Sequence, residues 1–361
     1  MNRLNTAVLG STGLVGQQFV RLLEHHPFFQ LAALAASAKS QGLAYRQATD
    51  WAIGGTMPPE AADLRLTAPD PGWLAGQGVQ VVFSALPGAI AGPVERECRR
   101  LGLAVFSNAG ALRMEDDIPL LVAEVNPGHL ILAERQRKRH RGFIVAGPNC
   151  STAGLVLALA PLASLAPLRS VVVTTEQAVS GAGRRGLGAW DILGTVVPLI
   201  EGEEEKMCRE TEKILGPVDG AGVTSPPFAL WPTCTRVPVR EGHLECLDLE
   251  FGEPVSLDRA RQALAEFTAL PQELRLPTAP RRPLVLHEGR DRPQPLRDVD
   301  AGGPGRGAGM AVTIGRLRQG SDPKRMQLVL LVHNTVRGAA GGCLLNAELA
   351  LARGLLAGGA T

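Results

Sequence analysis

The chain reads as an α/β protein of two domains, and three features of the sequence say so. Across residues 1–149 short apolar strands alternate with helical patterns. A glycine-rich turn, Gly10-Ser11-Thr12-Gly13-Leu14-Val15-Gly16, joins the first strand to the first helix. Beyond Cys150 the strands begin to alternate apolar with polar residues. Continuous apolar strands belong to a parallel sheet buried on both faces, whereas alternation marks an open sheet with one wet face. The prediction is a Rossmann-type dinucleotide-binding domain over 1–149, then an α+β domain with a mixed sheet over 150–339.

The elements follow in order. Thr6–Leu9 is a strand, Gly16–Glu24 a helix and Leu31–Ala36 the second strand. Val79–Leu86 and Leu103–Phe106 are continuous apolar strands, and Pro93–Leu101 is a helix between them, which makes βαβ units. Phe143–Ala146 is a strand that feeds Pro148-Asn149-Cys150, and a helix then runs to about Ala163. In the second domain the strands are Val171–Thr175, Leu244–Phe251, Ala311–Leu317 and Met326–His333. Pro283–Gly309, dense in Pro and Gly, reads as a long loop. The final segment, 340–361, is apolar at helical spacing through Leu356 and is expected to pack back on the first domain.

Composition removes several classes of function. A net charge of +2 with 4% aromatic residues argues against a nucleic-acid partner. The basic run Arg135–Arg141 reads as a solvated helix end. No apolar stretch is long enough to cross a bilayer, and Met1–Asn5 leads into a strand, not into a signal-peptide core. Cysteines 98, 150, 208, 234, 246 and 343 are scattered without C-x-x-C, which argues against a metal site or a disulfide framework. It suits a reducing cytoplasm.

The glycine turn has the spacing and the strand–turn–helix context of a pyrophosphate cradle, with Gly10, Thr12, Gly13, Leu14 and Val15 against the cofactor. An acidic residue ending the second strand would bind the ribose 2′-hydroxyl of NAD. Here the strand ends in Ser37, Lys39 and Ser40, with no carboxylate to repel a 2′-phosphate, so the expected cofactor is NADP.

Cys150 stands where a strand turns into a helix N-terminus, a place that favours a thiolate. Gln177 follows a buried strand and leads to the turn Ser180-Gly181-Ala182-Gly183, placed to pass a nicotinamide. Among seven histidines His243 has the best claim as partner of Cys150, since it follows Gly242 at a turn, seven positions after Arg236. His333 ends an apolar strand and looks structural. Glu203-Glu204-Glu205-Lys206 alone reads as a solvated helix face. Together these groups are the equipment for oxidising an aldehyde through a thioester, or for the reverse.

The ordered set of motifs resembles the aspartate-semialdehyde dehydrogenase family, particularly its archaeal and fungal branch. It comprises the glycine turn, Ala35-Ala36-Ser37, Ser84-Ala85-Leu86-Pro87, Ser107-Asn108-Ala109 with Arg113-Met114, Pro148–Thr152, Gln177–Gly183, Glu204–Met207, Arg236–Val239 with Gly242-His243, and Asn334–Gly341. It spans essentially the whole length. The resemblance implies Cys150 as nucleophile, His243 as acid/base, Gln177 orienting the acyl group and Asn149 assisting. It implies Arg236 for the substrate carboxylate, Glu203 for its amino group, and Lys206 and Arg113 for phosphate. Ser84, Leu86, Pro87, Ser180, Gly181, Gly183 and Asn334 join the cofactor set. Glu203 and Lys206 then face the site, against the solvated reading.

What the resemblance implies is a cytoplasmic, NADP-dependent homodimer or homotetramer whose second domain is catalytic and dimerising. It would convert 4-aspartyl phosphate to aspartate 4-semialdehyde in the biosynthesis of lysine, threonine, methionine and isoleucine. A paralogous reductase acting on malonyl-CoA is the alternative. It would keep Cys150, His243 and NADP with a changed acyl-donor pocket. N-acetyl-glutamyl-phosphate reductases usually have Gly where Asn149 stands. Arg184-Arg185 departs from the family pattern, which often has a large residue there.

Overall fold

The computed structural model describes residues 2–184, 186–218 and 228–356. The chain divides into two compact units. One holds 1–123, 127–148 and the chain from 339 onward; the other holds 124–126 and 149–338.

The first unit is built on five parallel strands: β1 (Leu4–Leu9), β2 (Phe29–Ala35), β3 (Val81–Ser84), β4 (Ala104–Ser107) and β5 (Phe143–Ala146). Their order is β2-β1-β3-β4-β5. β3, β4 and β5 are buried at every position, as two covered faces require. Phe29, Phe83, Phe106 and Phe143 form a run of ring contacts at 5.7, 6.1 and 5.9 Å through this core. The helix Leu14–Leu23 starts directly after the glycine turn. The helix Gly341–Ala352 belongs to this unit, where Glu348 Oε1 meets His26 Nε2 at 2.9 Å, both fully buried. Residues 357–361 of the expected terminal helix lie outside the described residues.

The glycine turn owes its shape to two contacts that no side chain survives. Gly10 has φ +73°, and a Cβ on it would sit 2.4 Å from the Ala85 carbonyl oxygen. A Cβ on Gly16 would sit 2.2 Å from the Gly10 carbonyl oxygen. These contacts pull the turn onto the end of β3 and press the helix onto the turn.

The second unit is a six-stranded mixed sheet in the order β7-β6-β8-β11-β10-β9. Its strands are β6 (Leu168–Gln177), β7 (Ala229–Arg236), β8 (His243–Phe251), β9 (Leu284–Leu286), β10 (Val312–Gln319) and β11 (Arg325–Val332). The β6·β7 and β9·β10 pairs are parallel; the inner pairs are antiparallel. Along β8, His243, Glu245, Leu247, Leu249 and Phe251 point to the buried face. The helices Cys150–Ala163 and Glu203–Leu215 pack on this sheet.

Two readings need correction. β9 and a short helix, Pro295–Asp298, lie inside the stretch expected to be all loop. β7 carries no alternation strong enough to announce it. Both are edge strands, and Pro232 lacks the N–H that an inner strand would need.

Gly16→Val is expected to cost about 1–3 kcal/mol of stability, because the added atoms have only backbone to displace. Urea unfolding checks this; a variant as stable as the parent would show that the turn yields freely.

Candidate active site

Sheet topology brings the candidate residues of the second unit together. Gln177 ends β6 and Arg236 ends β7, and the two are register partners in a parallel pair. His243 opens the antiparallel β8, opposite Val332 at the end of β11. Polar groups from three consecutive sheet neighbours thus meet at one end of the sheet.

Cys150 is the first residue of its helix, and Asn149 is the N-cap. The Asn149 side-chain oxygen accepts from the Ser151 N–H at 2.9 Å and the Thr152 N–H at 3.5 Å. The N–H groups expected to be open to an anion are therefore partly taken, and the helix dipole remains. Cys150 meets His243, with Nε2 3.1 Å from Sγ.

The other ring nitrogen decides what His243 offers. The Ala178 backbone N–H donates to His243 Nδ1 at 3.0 Å. A backbone amide only donates, so Nδ1 carries no proton and the neutral ring holds its proton on Nε2. Burial, then the Arg236 charge, pushes the imidazole down to about 3, so the ring is neutral. Nε2–H therefore points at sulfur, an arrangement suited to a thiolate acceptor.

Glu203 ties the remaining groups together. Its Oε1 accepts from Asn149 Nδ2 at 2.8 Å and Gln177 Nε2 at 3.1 Å; its Oε2 is 3.9 Å from Lys206 Nζ. The acidic run is thus only in part a solvated face: Glu203 is buried, Glu204 accepts from the Cys234 N–H, Glu205 is exposed and Lys206 stays half-exposed. Arg236 is buried. One guanidinium nitrogen donates to the Ala178 carbonyl at 2.8 Å and approaches Gln177 Oε1 at 3.5 Å; its other donors have no partner among the described residues. Burial lowers its pKa.

Asn334 closes the arrangement. It donates to Ser180 Oγ at 2.8 Å and accepts from the Gly242 N–H at 2.9 Å. Gly181 lies against Arg236 and the His243 ring. Gly183 is in the same turn, at φ +76°. A Cβ on Gly338 would fall 2.6 Å from Cys150 Cβ, so a bare backbone lies against Cys150.

The remaining expected residues lie in the first unit. Gly10 lies against Ala85 and Leu86 just past β3, which ends at Ser84 and is followed by Pro87; Gly13 comes later in the turn, and Leu14 and Val15 open the helix. That helix start has no side-chain cap and no acidic residue in its first turn, which fits a pyrophosphate. Thr12 is in the turn; Ser37, Lys39 and Ser40 follow β2, next to β1, with Ser37 and Lys39 exposed. Arg113 donates to the Asn108 carbonyl at 2.8 Å. Arg184 is exposed, and Arg185 lies outside the described residues.

Comparisons with known proteins give the family. Residues 5–133 match the family model for the semialdehyde dehydrogenase NAD binding domain, and 159–337 match its dimerisation domain. An aspartate-semialdehyde dehydrogenase from Methanothermobacter thermautotrophicus is 44% identical over 349 residues, 96% of this chain and 98% of that one. The chain belongs to the aspartate-semialdehyde dehydrogenase family. A solved structure of the Candida albicans member, described with NADP, has a TM-score of 0.88 at 37% identity, covering 98% of this chain and 100% of the other. A malonyl CoA reductase (NADP) from Metallosphaera sedula is 37% identical over 359 residues, 98% of each chain. Family membership makes the chain an oxidoreductase that assembles through its second domain. Among the described residues no helix is long and apolar enough to cross a membrane.

Two buried acids at this site were not singled out from the sequence. Glu210 accepts from the Asn149 backbone N–H at 2.5 Å. Its signal was its place seven residues after Glu203, on the same helix face. The other is Glu245.

Histidine-selective NMR is expected to show His243 protonated at Nε2 and not titrating between about pH 8 and about pH 5, because its depressed pKa keeps the ring neutral there. Titration near the ordinary histidine value would contradict the assignment.

Proposed function

We propose that the Cys150 centre performs the reversible reductive dephosphorylation of L-4-aspartyl phosphate to L-aspartate 4-semialdehyde, with NADP as cofactor. The observation that carries the reading is Sγ held 3.1 Å from a histidine nitrogen whose proton the Ala178 amide fixes in place. The Cys150 thiolate attacks the acyl carbon; a carbon–sulfur bond forms and phosphate leaves. Lys206, half-exposed, and Arg113 are the cations assigned to that phosphate. The free donors of Arg236 suit the substrate carboxylate, and Glu203 its ammonium group. Gln177 and Asn149, both tied to Glu203, set the position of the acyl group.

When bound, the nicotinamide supplies the hydride. The chain's part is to hold the acyl oxygen as it turns negative, and His243 Nε2–H is the donor for it. Reopening the tetrahedral carbon to an aldehyde breaks the carbon–sulfur bond and returns the thiolate. No proton leaves His243 in that step, in keeping with its locked tautomer. The cofactor set comprises the glycine turn, the Ser84–Pro87 stretch, the Ser37–Ser40 segment, and Ser180, Gly181, Gly183 and Asn334. The assembly is a cytoplasmic homodimer or homotetramer.

NADP reduction by aspartate 4-semialdehyde is expected to require inorganic phosphate and to vanish in Cys150→Ser while NADP binding persists. NADPH oxidation by malonyl-CoA, with no phosphate-dependent turnover, would assign the chain to the reductases of the Metallosphaera type.

Lys39→Ala is expected to raise the KM for NADP roughly tenfold, the loss of one charge-assisted contact of about 1.4 kcal/mol, and to leave that for NAD unchanged. Equal effects on both cofactors would remove Lys39 from the 2′-phosphate site.

A further inference from the structure

Glu245 is fully buried on β8, and neither carboxyl oxygen has a hydrogen-bond partner among the described residues. It is two residues after His243 and shares its face of the strand. Its register partner on β6 is Thr175, also fully buried. Thr175 Oγ1 in turn receives a 3.3 Å bond from Gln177 Nε2, the same amide nitrogen that donates to Glu203. On the other side β11 presents Leu330. The titratable groups near it are Glu203 from the helix Glu203–Leu215 and Cys234 from β7, with His243 and Cys246 along its own strand. Cys234 is itself buried and pushed up to about 12, first by desolvation. None of these is a cation placed to hold a second buried carboxylate.

A carboxylate without partners in such a place is too costly to persist, whereas a carboxylic acid is tolerated. We infer that Glu245 is a neutral carboxylic acid and a positioning residue: from beneath, it supports the Thr175–Gln177–Glu203 network that orients the acyl group. Burial, then the charge of Glu203, raises its pKa, in the same direction. Its neutrality leaves the charge of Glu203 undivided for Asn149, Gln177 and the substrate. Glu245 supports the network by filling, without charge, the space next to its register partner Thr175, whose Oγ1 accepts from Gln177.

Three versions of the whole enzyme test this. The infrared spectrum of the wild type at neutral pH, minus that of Glu245→Gln, is expected to show the carbonyl band of a protonated carboxylic acid. Carboxylate bands in its place would overturn the inference. This arm needs no substrate, so it stands apart from the proposed reaction, on which the second arm rests. Glu245→Leu fills the site with an apolar side chain and should fold and bind NADP. Its kcat is expected to fall about tenfold or more, with a smaller change in KM, because the acyl group is misplaced. Glu245→Gln, neutral and of the same shape, should recover most of that loss. Wild-type kcat in Glu245→Leu would remove the positioning role. A Glu245→Gln enzyme as slow as Glu245→Leu would show that the charge, not the shape, is required.

Discussion

The bond from the Ala178 amide to His243 Nδ1 constrains the whole centre, because it fixes where one proton sits. A histidine free at Nδ1 can take a proton at either nitrogen and change role with pH. Here the ring is buried beside Arg236, and its second nitrogen faces an amide that cannot accept. Charging the ring would cost both desolvation and a steric conflict of two protons. The site therefore holds a neutral donor where the family resemblance implied an acid/base. The sulfur is offered that hydrogen bond, and in the proposed reaction the acyl oxygen would be offered it as well. A thiolate with a fixed donor needs no reorganisation when reaction begins, which is where preorganised sites gain most.

That donor matters only if Cys150 stays in front of it. Asn149 fixes the first turn of the helix from one side, through its cap, while its amide nitrogen and backbone N–H reach Glu203 and Glu210. From the other side the segment 333–338 comes in close. Arg337 holds it through a doubly hydrogen-bonded, buried pair with Glu124, at 2.7 and 2.6 Å. The N–H of Gly338 bonds to the carbonyl of His333 within a π-helical turn, Val336–Ala340. Such turns are frequent at functional sites. Gly338, whose backbone lies against Cys150, belongs to this turn. Breaking the Arg337–Glu124 pair would leave an uncompensated charge, about 3–5 kcal/mol, so the clamp is stiff.

Much of this was legible, and the reason is locality. The glycine turn and the Pro-Asn-Cys turn are short, continuous segments whose shape their own residues dictate. The links between segments were not so visible. Glu203 could be told from Glu204 and Glu205 only through the family pattern, since three adjacent acids on a helix point three ways. The edge strands β7 and β9 escaped because one contains Pro232 and the other spans three residues. The tautomer of His243 depends on an amide 65 positions away, a distance that only the β6·β8 pairing collapses.

Glu245 shows that parity carries more information than hydropathy. Leu247, Leu249 and Phe251 set the inward side of β8, while Asp248 lies across from Gln327 of β11 and bonds its amide. Extending that period of two backwards places Glu245 and His243 inward, where hydropathy alone would place a glutamate in water. A one-residue slip would turn both outward and bury Asp248 and Glu250 instead. The strand's apolar half therefore enforces the register of its polar half. The hydrophobic packing of Leu247, Leu249 and Phe251 thus holds the donor histidine against sulfur and the acid beside Thr175, and this sheet's stability and its chemistry rest on the same alternation.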